Sequence, residues 1–315
     1  MSEVSVVTVL FNSAQVIEAC LASIPATAEV IVVDNHSADH GRERALRARP
    51  DATVVRSERN LGFGGGCNLG WRRASGRYIA FVNPDVRLRA GALDALIRRL
   101  EQEPHGIVGP AMLDATGTAR RLKLPASLVT DCFALLPAAA RWAASRDGRL
   151  PAGGELHEKG GRVWHVEGAC FVVRRADLET IGGFDEDLFL YDEEESLALR
   201  LLALGGHAVY EPAAAVEHIG AHSTEQVSAL ATRHMYRSRA LLYRKRDGDV
   251  RGRLAAAALG VAALLSLPVA MLNSTLGRPR TLTLSHVANV LHGLAIGARD
   301  VPRSSVSYPR RPSSG

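Results

Sequence analysis

The sequence has only four cysteines, Cys20, Cys67, Cys132 and Cys170, and no two fall in a C-x-x-C pair. That spacing excludes a disulfide scaffold and the commoner zinc-ribbon patterns, and it fits a reducing compartment with buried thiols. No G-x-x-x-x-G-K-[ST] occurs, which excludes a P-loop. No H-E-x-x-H and no G-x-S-x-G occur, so neither a zincin nor a serine hydrolase is indicated. The N-terminal stretch "MSEVSVVTVLFNS" lacks a charged leader ahead of an apolar core, and no signal peptide is expected. No basic block is interleaved with aromatics, which argues against a nucleic-acid partner.

What is present is ordinary globular material. The chain has 315 residues, 47% hydrophobic and 23% charged, with a net charge of +5. Mild basicity suits an anionic substrate or a membrane surface. "VSVVTVLF" (4–11) and "EVIVVDN" (29–35) are Val-rich runs ending in polar residues, the pattern of buried parallel strands. Between them, Val16, Ile17, Cys20, Leu21 and Ile24 recur at helical spacing. Further strands are expected at 52–57, 77–85 and 106–113, and an amphipathic helix over 90–104 that stops at Pro104. This β-α-β-α alternation indicates a doubly wound open sheet, whose ligands bind at the carboxyl ends of the strands. Asn12, Asp34, Asn35, Ser37 and Asp85 sit at those ends.

Between 115 and 160 the pattern loosens, and a mobile covering segment is expected there. Regularity returns with a strand and short helix over 162–186, a helix to about 204 and two short strands in 207–220. The tail 301–315 has a disordered composition.

Several residues could carry chemistry. Asp85 follows Pro84, which cannot continue a central strand, so the chain turns there. A metal ligand bridging to a diphosphate and a local Asx turn are both open for it. Asp34 could meet a ribose or base, or cap the next helix. "NLGFGGGCNLGW" (60–71) opens a helix, where backbone amides could approach a phosphate or sugar. It does not match G-x-G-x-x-G, which disfavours a Rossmann dinucleotide site. His218 and His222 stand four apart in a β-like context, so one His in a mixed His/carboxylate metal site is a better expectation than a zinc pair. Four successive carboxylates, Asp192 to Glu195, follow Phe189, Leu190 and Tyr191. Helix capping accounts for one or two of them.

In order and spacing, "VVTVLFNS", "VIVVDNHSAD", "NLGFGGGCNLG", "YIAFVNPDV", "VEGACFVVRRADLETIGGFDEDLFLYDEEESLALRL" and "HAVYEPAAAVEHIGAHS" resemble the inverting glycosyltransferases of family two, and most of all their rhamnosyltransferase branch. The resemblance covers about residues 4–224. It implies an α/β GT-A nucleotide-diphospho-sugar transferase fold: an open, mostly parallel Rossmann-like sheet flanked by helices, over 1–224.

The resemblance also implies roles. Asn83 and Asp85 in "NPD" match the shortened D-x-D motif, Asp85 reaching Mg²⁺ or Mn²⁺ on the sugar nucleotide, with His218 completing the metal site. Asp34 matches the base and ribose contact, Asn12 the lip of that pocket, and Asn60 and Asn68 the Gly-rich positions beside the nucleotide. Trp164, Gly168 and Tyr191 are expected at the acceptor. "YDEEES" matches "Y-x-E-D-x-D", which makes Glu194 the expected general base and Glu193 the second choice. Glu194 stands where Asp is usual, and Ser196 where a second Asp is common. A carboxylate beside apolar groups and like charges is a stronger base.

The expected reaction is transfer of a sugar, rhamnose from dTDP-rhamnose by best match, to a lipid-linked or polysaccharide acceptor in cell-envelope glycan synthesis. A nucleotidyltransferase is disfavoured because "LFNSAQ" lacks a basic Gly-rich loop. A nucleotide-sugar-binding scaffold with a dead site is the alternative.

Past 224 the chain turns basic over 233–253, then runs uncharged over 254–272. With a second weak apolar run at 281–297, this predicts a C-terminal helical region over 225–300. It either inserts in or lies on the inner face of the cell membrane, or packs as a soluble helical pair.

Overall fold

The computed structural model describes residues 3–114, 116–119, 127–136, 158–218, 228–275, 283–302 and 308. Most of the loosened stretch 115–160, His222 and nearly all of the tail 301–315 lie outside the described residues. Two compact units are present. The first comprises 1–123, 150–186 and 193–225, and the second 124–149, 187–192 and 226–315.

The first unit is built on one open mixed sheet. Its strands are β1 (Val4–Leu10), β2 (Glu29–Asp34), β3 (Thr53–Arg56), β4 (Tyr78–Val82), β5 (Val86–Leu88), β6 (Gly106–Leu113), β7 (Gly161–Val163), β8 (Cys170–Arg174) and β9 (His207–His218). The spatial order is β3-β2-β1-β4-β8-β6-β9-β5, with β7 on β9. Pairing is parallel from β3 through β4 and between β6 and β9. It turns antiparallel where β8 inserts between β4 and β6 and where β5 and β7 meet β9. The expected mostly parallel open sheet is thus the one found, with β8 reversed within it.

Helices cover both faces, and the strand residues alternate between them. Val6, Leu10, Val30, Val32, Tyr78 and Ala80 pack against α1 (Ile17–Ala22) and α4 (Ala92–Glu101). Val7, Val9, Ile31, Val33, Phe81 and Phe171 pack on the other face with α3 (Gly62–Trp71) and α7 (Glu193–Ala203). The remaining helices of this unit are α2 (Gly41–Ala48) and α6 (Arg175–Ile181). Strands buried on both faces must be largely apolar, which is why β1 and β2 are Val-rich and β4 reads Tyr-Ile-Ala-Phe-Val.

The second unit holds α5 (Leu128–Leu135), α8 (Ser228–Asp247), α9 (Asp249–Leu265), α10 (Leu267–Thr275) and α11 (Leu284–Arg299). Tyr236, Tyr243, Leu259, Val287, Val290 and Leu294 form its core. Gly293 and Gly297 lie on the backbone of Arg233 and Arg237, where a Cβ would collide, so α8 and α11 approach closely. The uncharged run 254–272 is not one helix. It breaks at Ser266, and α9 and α10 meet at a 44° bend. Among the described residues no single helix is long and apolar enough to cross a membrane, although this bent pair passes on length and composition. The basic cluster before it is largely neutralised within its own unit: Arg244 pairs with Asp249, Lys245 with Asp187 and Arg246 with Asp247.

Candidate active site

Parallel strands β1, β2 and β4 end on the same rim; Asp34 is the last residue of β2 there, and the loops leaving β1 and β4 carry Asn12, Asn83 and Asp85. The first two loops are stitched together. Ser37 Oγ accepts from the Asn12 amide at 3.1 Å, and Asn12 Oδ1 accepts from the Ala38 amide at 2.9 Å. Ala14 N–H donates to Asp39 Oδ2 at 2.8 Å. Asn12 and His36 are both left-handed, with φ of 52° and 67°. Asp34 is buried; its Oδ1 accepts from Ser37 N–H at 2.8 Å and its Oδ2 faces Arg56 Nε at 3.5 Å. The bond from Ser37 closes the loop after β2 and does not cap α2 (Gly41–Ala48), whose N-cap is His40 and carries no side-chain cap bond.

Asn35, at the next position, organises the entry to α3. Its Nδ2 donates to Asn60 Oδ1 and to the Gly62 carbonyl, and its Oδ1 accepts from Leu61 N–H. Its place directly after Asp34 at a strand end was the only sequence signal for that role.

Glycines of the 60–71 run lie against the sheet. A Cβ on Gly66 would lie 2.7 Å from Val9 Cγ1, and one on Gly70 would collide with Val7. The small residues let α3 lie directly on β1, so their demonstrated use is close helix–sheet packing. Asn68 likewise is a packing residue. It is buried, its Nδ2 donates to the Phe184 carbonyl and Glu186 Oε1, and its Oδ1 accepts from Phe184 N–H and Trp71 Nε1. Those four bonds use the whole capacity of an amide side chain, leaving none for a nucleotide. This corrects the sequence-based placement of Asn68 beside the donor. Asn68→Ala is expected to destabilise the protein by about 3 kcal/mol, because the Phe184 backbone groups stay buried without partners. The melting temperature should fall by roughly 6 °C or more. A melt within one degree or so of the unaltered protein would refute the assignment.

Asp85 stands on a tight turn, with Val86 N–H bonded to the Asn83 carbonyl. The same carbonyl accepts from Cys20 Sγ at 3.4 Å. Burial first, and the Asp85 charge second, push the Cys20 thiol up to about 12, so it keeps its proton for that bond. β5 then pairs Val86 with His218, which brings Asp85 Oδ2 to 3.3 Å from His218 Nε2. Both side chains are mostly buried, at 11% and 17% exposure. Beside them a cavity of about 300 Å³ opens, lined by Arg89, Leu113, Asp114, Thr116, Gly117, Glu217 and His218. Among the described residues no group of three or more His, Cys, Asp or Glu side chains is arranged to hold a metal ion. A carboxylate and an imidazole side by side do suit Mn²⁺ or Mg²⁺ when a diphosphate supplies further oxygens.

Three of the four successive carboxylates are interior groups: Asp192, Glu193 and Glu195 are 6%, 2% and 5% exposed. Glu194 alone is partly exposed. A Cβ on Gly168 would lie 3.3 Å from its carboxyl carbon, so the missing side chain gives that carboxylate room. Glu193 lies against Gly64 of α3 instead. Trp164, just past β7, is 66% exposed. Tyr191 and Asp192 are consecutive left-handed residues, with φ of 70° and 67°, a conformation costing about 1–2 kcal/mol per residue.

Residues 5–182 match the family model described as glycosyl transferase family 2. The chain is similar to an N-acetylglucosaminyl-diphospho-decaprenol L-rhamnosyltransferase of Mycobacterium tuberculosis, 31% identical over 253 residues, spanning 73% of this chain and 80% of that protein. It is similar also to the low-salt glycan biosynthesis hexosyltransferase Agl10 of Haloferax volcanii, 26% identical over 64% of this chain and 62% of that one. Among solved structures, a mannosyltransferase from Pyrobaculum calidifontis in complex with GDP-Man and Mn²⁺ superposes with a TM-score of 0.54 at 17% identity, covering 94% of this chain and 85% of that chain.

Proposed function

The chain belongs to glycosyl transferase family 2, and from that premise we propose that it transfers a sugar from a nucleoside diphosphate to a lipid-linked acceptor with inversion at the anomeric carbon. Rhamnose from dTDP-rhamnose is the proposed donor group, because the M. tuberculosis relative is an L-rhamnosyltransferase of a diphospho-decaprenol acceptor. The observation that carries the mechanism is the partial exposure of Glu194, beside Gly168, among buried carboxylates.

In the proposed step the acceptor hydroxyl attacks the anomeric carbon, its proton passes to the Glu194 carboxylate, and the bond to the diphosphate oxygen breaks on the opposite side. Asp85 and His218 would hold Mn²⁺ or Mg²⁺, which stabilises negative charge on the departing diphosphate when bound. Asn12, Asp34, Asn60 and Asn83 would line the donor site on the strand-end rim, with Trp164, Gly168 and Tyr191 toward the acceptor. The domain assignment proposed with this function is a catalytic region to 224 and a helical region from 225.

The test is release of nucleoside diphosphate from a panel of dTDP-, UDP- and GDP-sugars, with Mn²⁺ and N-acetylglucosaminyl-diphospho-decaprenol as acceptor. Acceptor-dependent release from one donor is expected. Nucleotide binding without turnover would point instead to a sugar-nucleotide-binding scaffold, and no binding would refute the proposal.

A location on the inner face of the cell membrane accompanies this reading. Leu254, Val261, Leu264 and Leu265 of α9 recur at helical spacing and are each at least 50% exposed, and Met271 and Leu272 of α10 are 57% exposed. An apolar stripe with its backbone bonds closed within helices suits the plane of a bilayer interface. Sedimentation with phospholipid vesicles is expected for the intact chain, and Leu264→Asp with Leu265→Asp should cut the bound fraction about tenfold. Equal binding by the double variant would place the contact elsewhere.

A further inference from the structure

Residues 187–192 lie in sequence between Glu186 and Glu193, which belong to the sheet unit, yet they cluster with the helical unit. Helix α8 engages four of the six. Lys245 Nζ is 2.6 Å from Asp187 Oδ2, and Arg237 Nη1 donates to the Asp187 carbonyl. The His234 ring stacks on Phe189 at 4.5 Å, and Ser238 Oγ donates to the Leu190 carbonyl at 2.9 Å. The tightest contact is the last. Arg239 Nε and Nη2 donate to both oxygens of Asp192, each at 2.8 Å. A planar guanidinium on a carboxylate fixes distance and orientation together, which a lysine cannot do.

Arg239 is itself fixed. Its Nη1 donates to Asp131 Oδ2 at 2.7 Å, and the Tyr243 hydroxyl donates to the same oxygen at 2.6 Å. Burial and then the Asp131 charge push the Tyr243 hydroxyl up, so it stays a donor. The network therefore ends on the one residue that stands directly before α7.

That residue is also strained. Tyr191 and Asp192 are both left-handed, and a side-chain-bearing residue stays in that region only when its surroundings hold it there. α7 begins at the residue after Asp192, and Glu194 is in its first turn.

We infer that Arg239 is a positioning residue: by clamping Asp192 in the left-handed turn it sets where α7 begins, and so where the Glu194 carboxylate stands. This rests on the reading of Glu194 as the base. It goes beyond that reading because Arg239 lies in the helical unit, beyond residue 182 where the family match ends.

The test compares Arg239→Gln and Arg239→Lys with the unaltered chain, using dTDP-rhamnose, Mn²⁺ and N-acetylglucosaminyl-diphospho-decaprenol. A misplacement of about 1 Å at a reacting group costs about 10²-fold, so Arg239→Gln should lower kcat by about that factor. The KM for donor and the melting shift on adding dTDP should change by less than about threefold, since the donor side is untouched. Arg239→Lys should fall between the two. A kcat for Arg239→Gln within about threefold of the unaltered chain, or an equal loss in kcat and donor binding, overturns the proposal.

Amide hydrogen exchange provides a reading that needs no substrate. Exchange at 193–197 should quicken in Arg239→Gln while β1 and β2 stay protected, and unchanged exchange at 193–197 overturns the proposal outright. Glu194→Gln run alongside separates the two ideas. If that variant keeps full turnover, the base assignment has failed, and exchange alone then decides whether Arg239 sets the start of α7.

Discussion

Replacing Asp85 with alanine is expected to lower metal-dependent release of nucleoside diphosphate by at least about 10³-fold, roughly 4 kcal/mol of transition-state stabilisation. Asp85 supplies the negative oxygen of the proposed metal pair, and its turn is rigid. Cys20 and Val86 both bond the Asn83 carbonyl, and Asn83 N–H bonds the Ala169 carbonyl. A carboxylate held this firmly meets a cation without further rearrangement, so its removal is not made good by a neighbour. Calorimetric titration with the donor nucleotide, with and without Mn²⁺, isolates the effect. The Mn²⁺-dependent part of the affinity should vanish in Asp85→Ala while the thermal melt stays near that of the unaltered chain. Turnover within tenfold of the unaltered chain would sink the metal assignment.

Glu194→Gln is expected to lower kcat by about 10²–10⁴-fold, the usual contribution of a positioned general base. The amide keeps the size and shape of the side chain, so the 3.3 Å approach to Gly168 is undisturbed and donor affinity should hold. Glu193→Gln makes a useful contrast. Glu193 is 2% exposed and lies against Gly64 on α3, so its loss should act on stability before it acts on the chemical step. Single-turnover kinetics at saturating donor separate these outcomes. Full activity in Glu194→Gln together with loss in Glu193→Gln at an unchanged melting temperature would move the base one residue back.

Much of the sheet was legible in the chain because its signals are local. The Val-rich runs of β1 and β2 are buried on both faces, and continuous apolarity is what such strands require. The amphipathic spacing of α4 and its end before Pro104 are local too. What escaped is pairing. β5 is three residues long, too short for a periodic signal, yet it brings Asp85 to His218. The reversed β8 between β4 and β6 is a fact of chain order, which periodicity does not encode.

At the site, residue type and strand-end position pointed to Asp34, Asp85 and the acidic run. The placement of Asn68 beside the nucleotide came from the resemblance alone, and a buried amide with four internal partners and an amide facing a ligand look alike in one dimension. The glycine run is ambiguous in the same way. A missing Cβ admits either a ligand or a neighbouring strand, and here the neighbours are Val7 and Val9. Arg239 carried no local signal, since its partners Asp131 and Asp192 are distant in sequence.

The helical unit is assembled from three separate stretches of chain, and its largest part comes last. A ribosome adds roughly 5–20 residues each second, so Arg239 emerges about 2–10 s after the Asp192 it clamps. Throughout that interval β1, β2 and β4 have all been synthesised, while the α8 residues that contact 187–192 have not. If the rim takes the donor and Glu194 the acceptor proton, as proposed, the two halves of the site are completed at different moments in the life of the chain, with the acceptor side last.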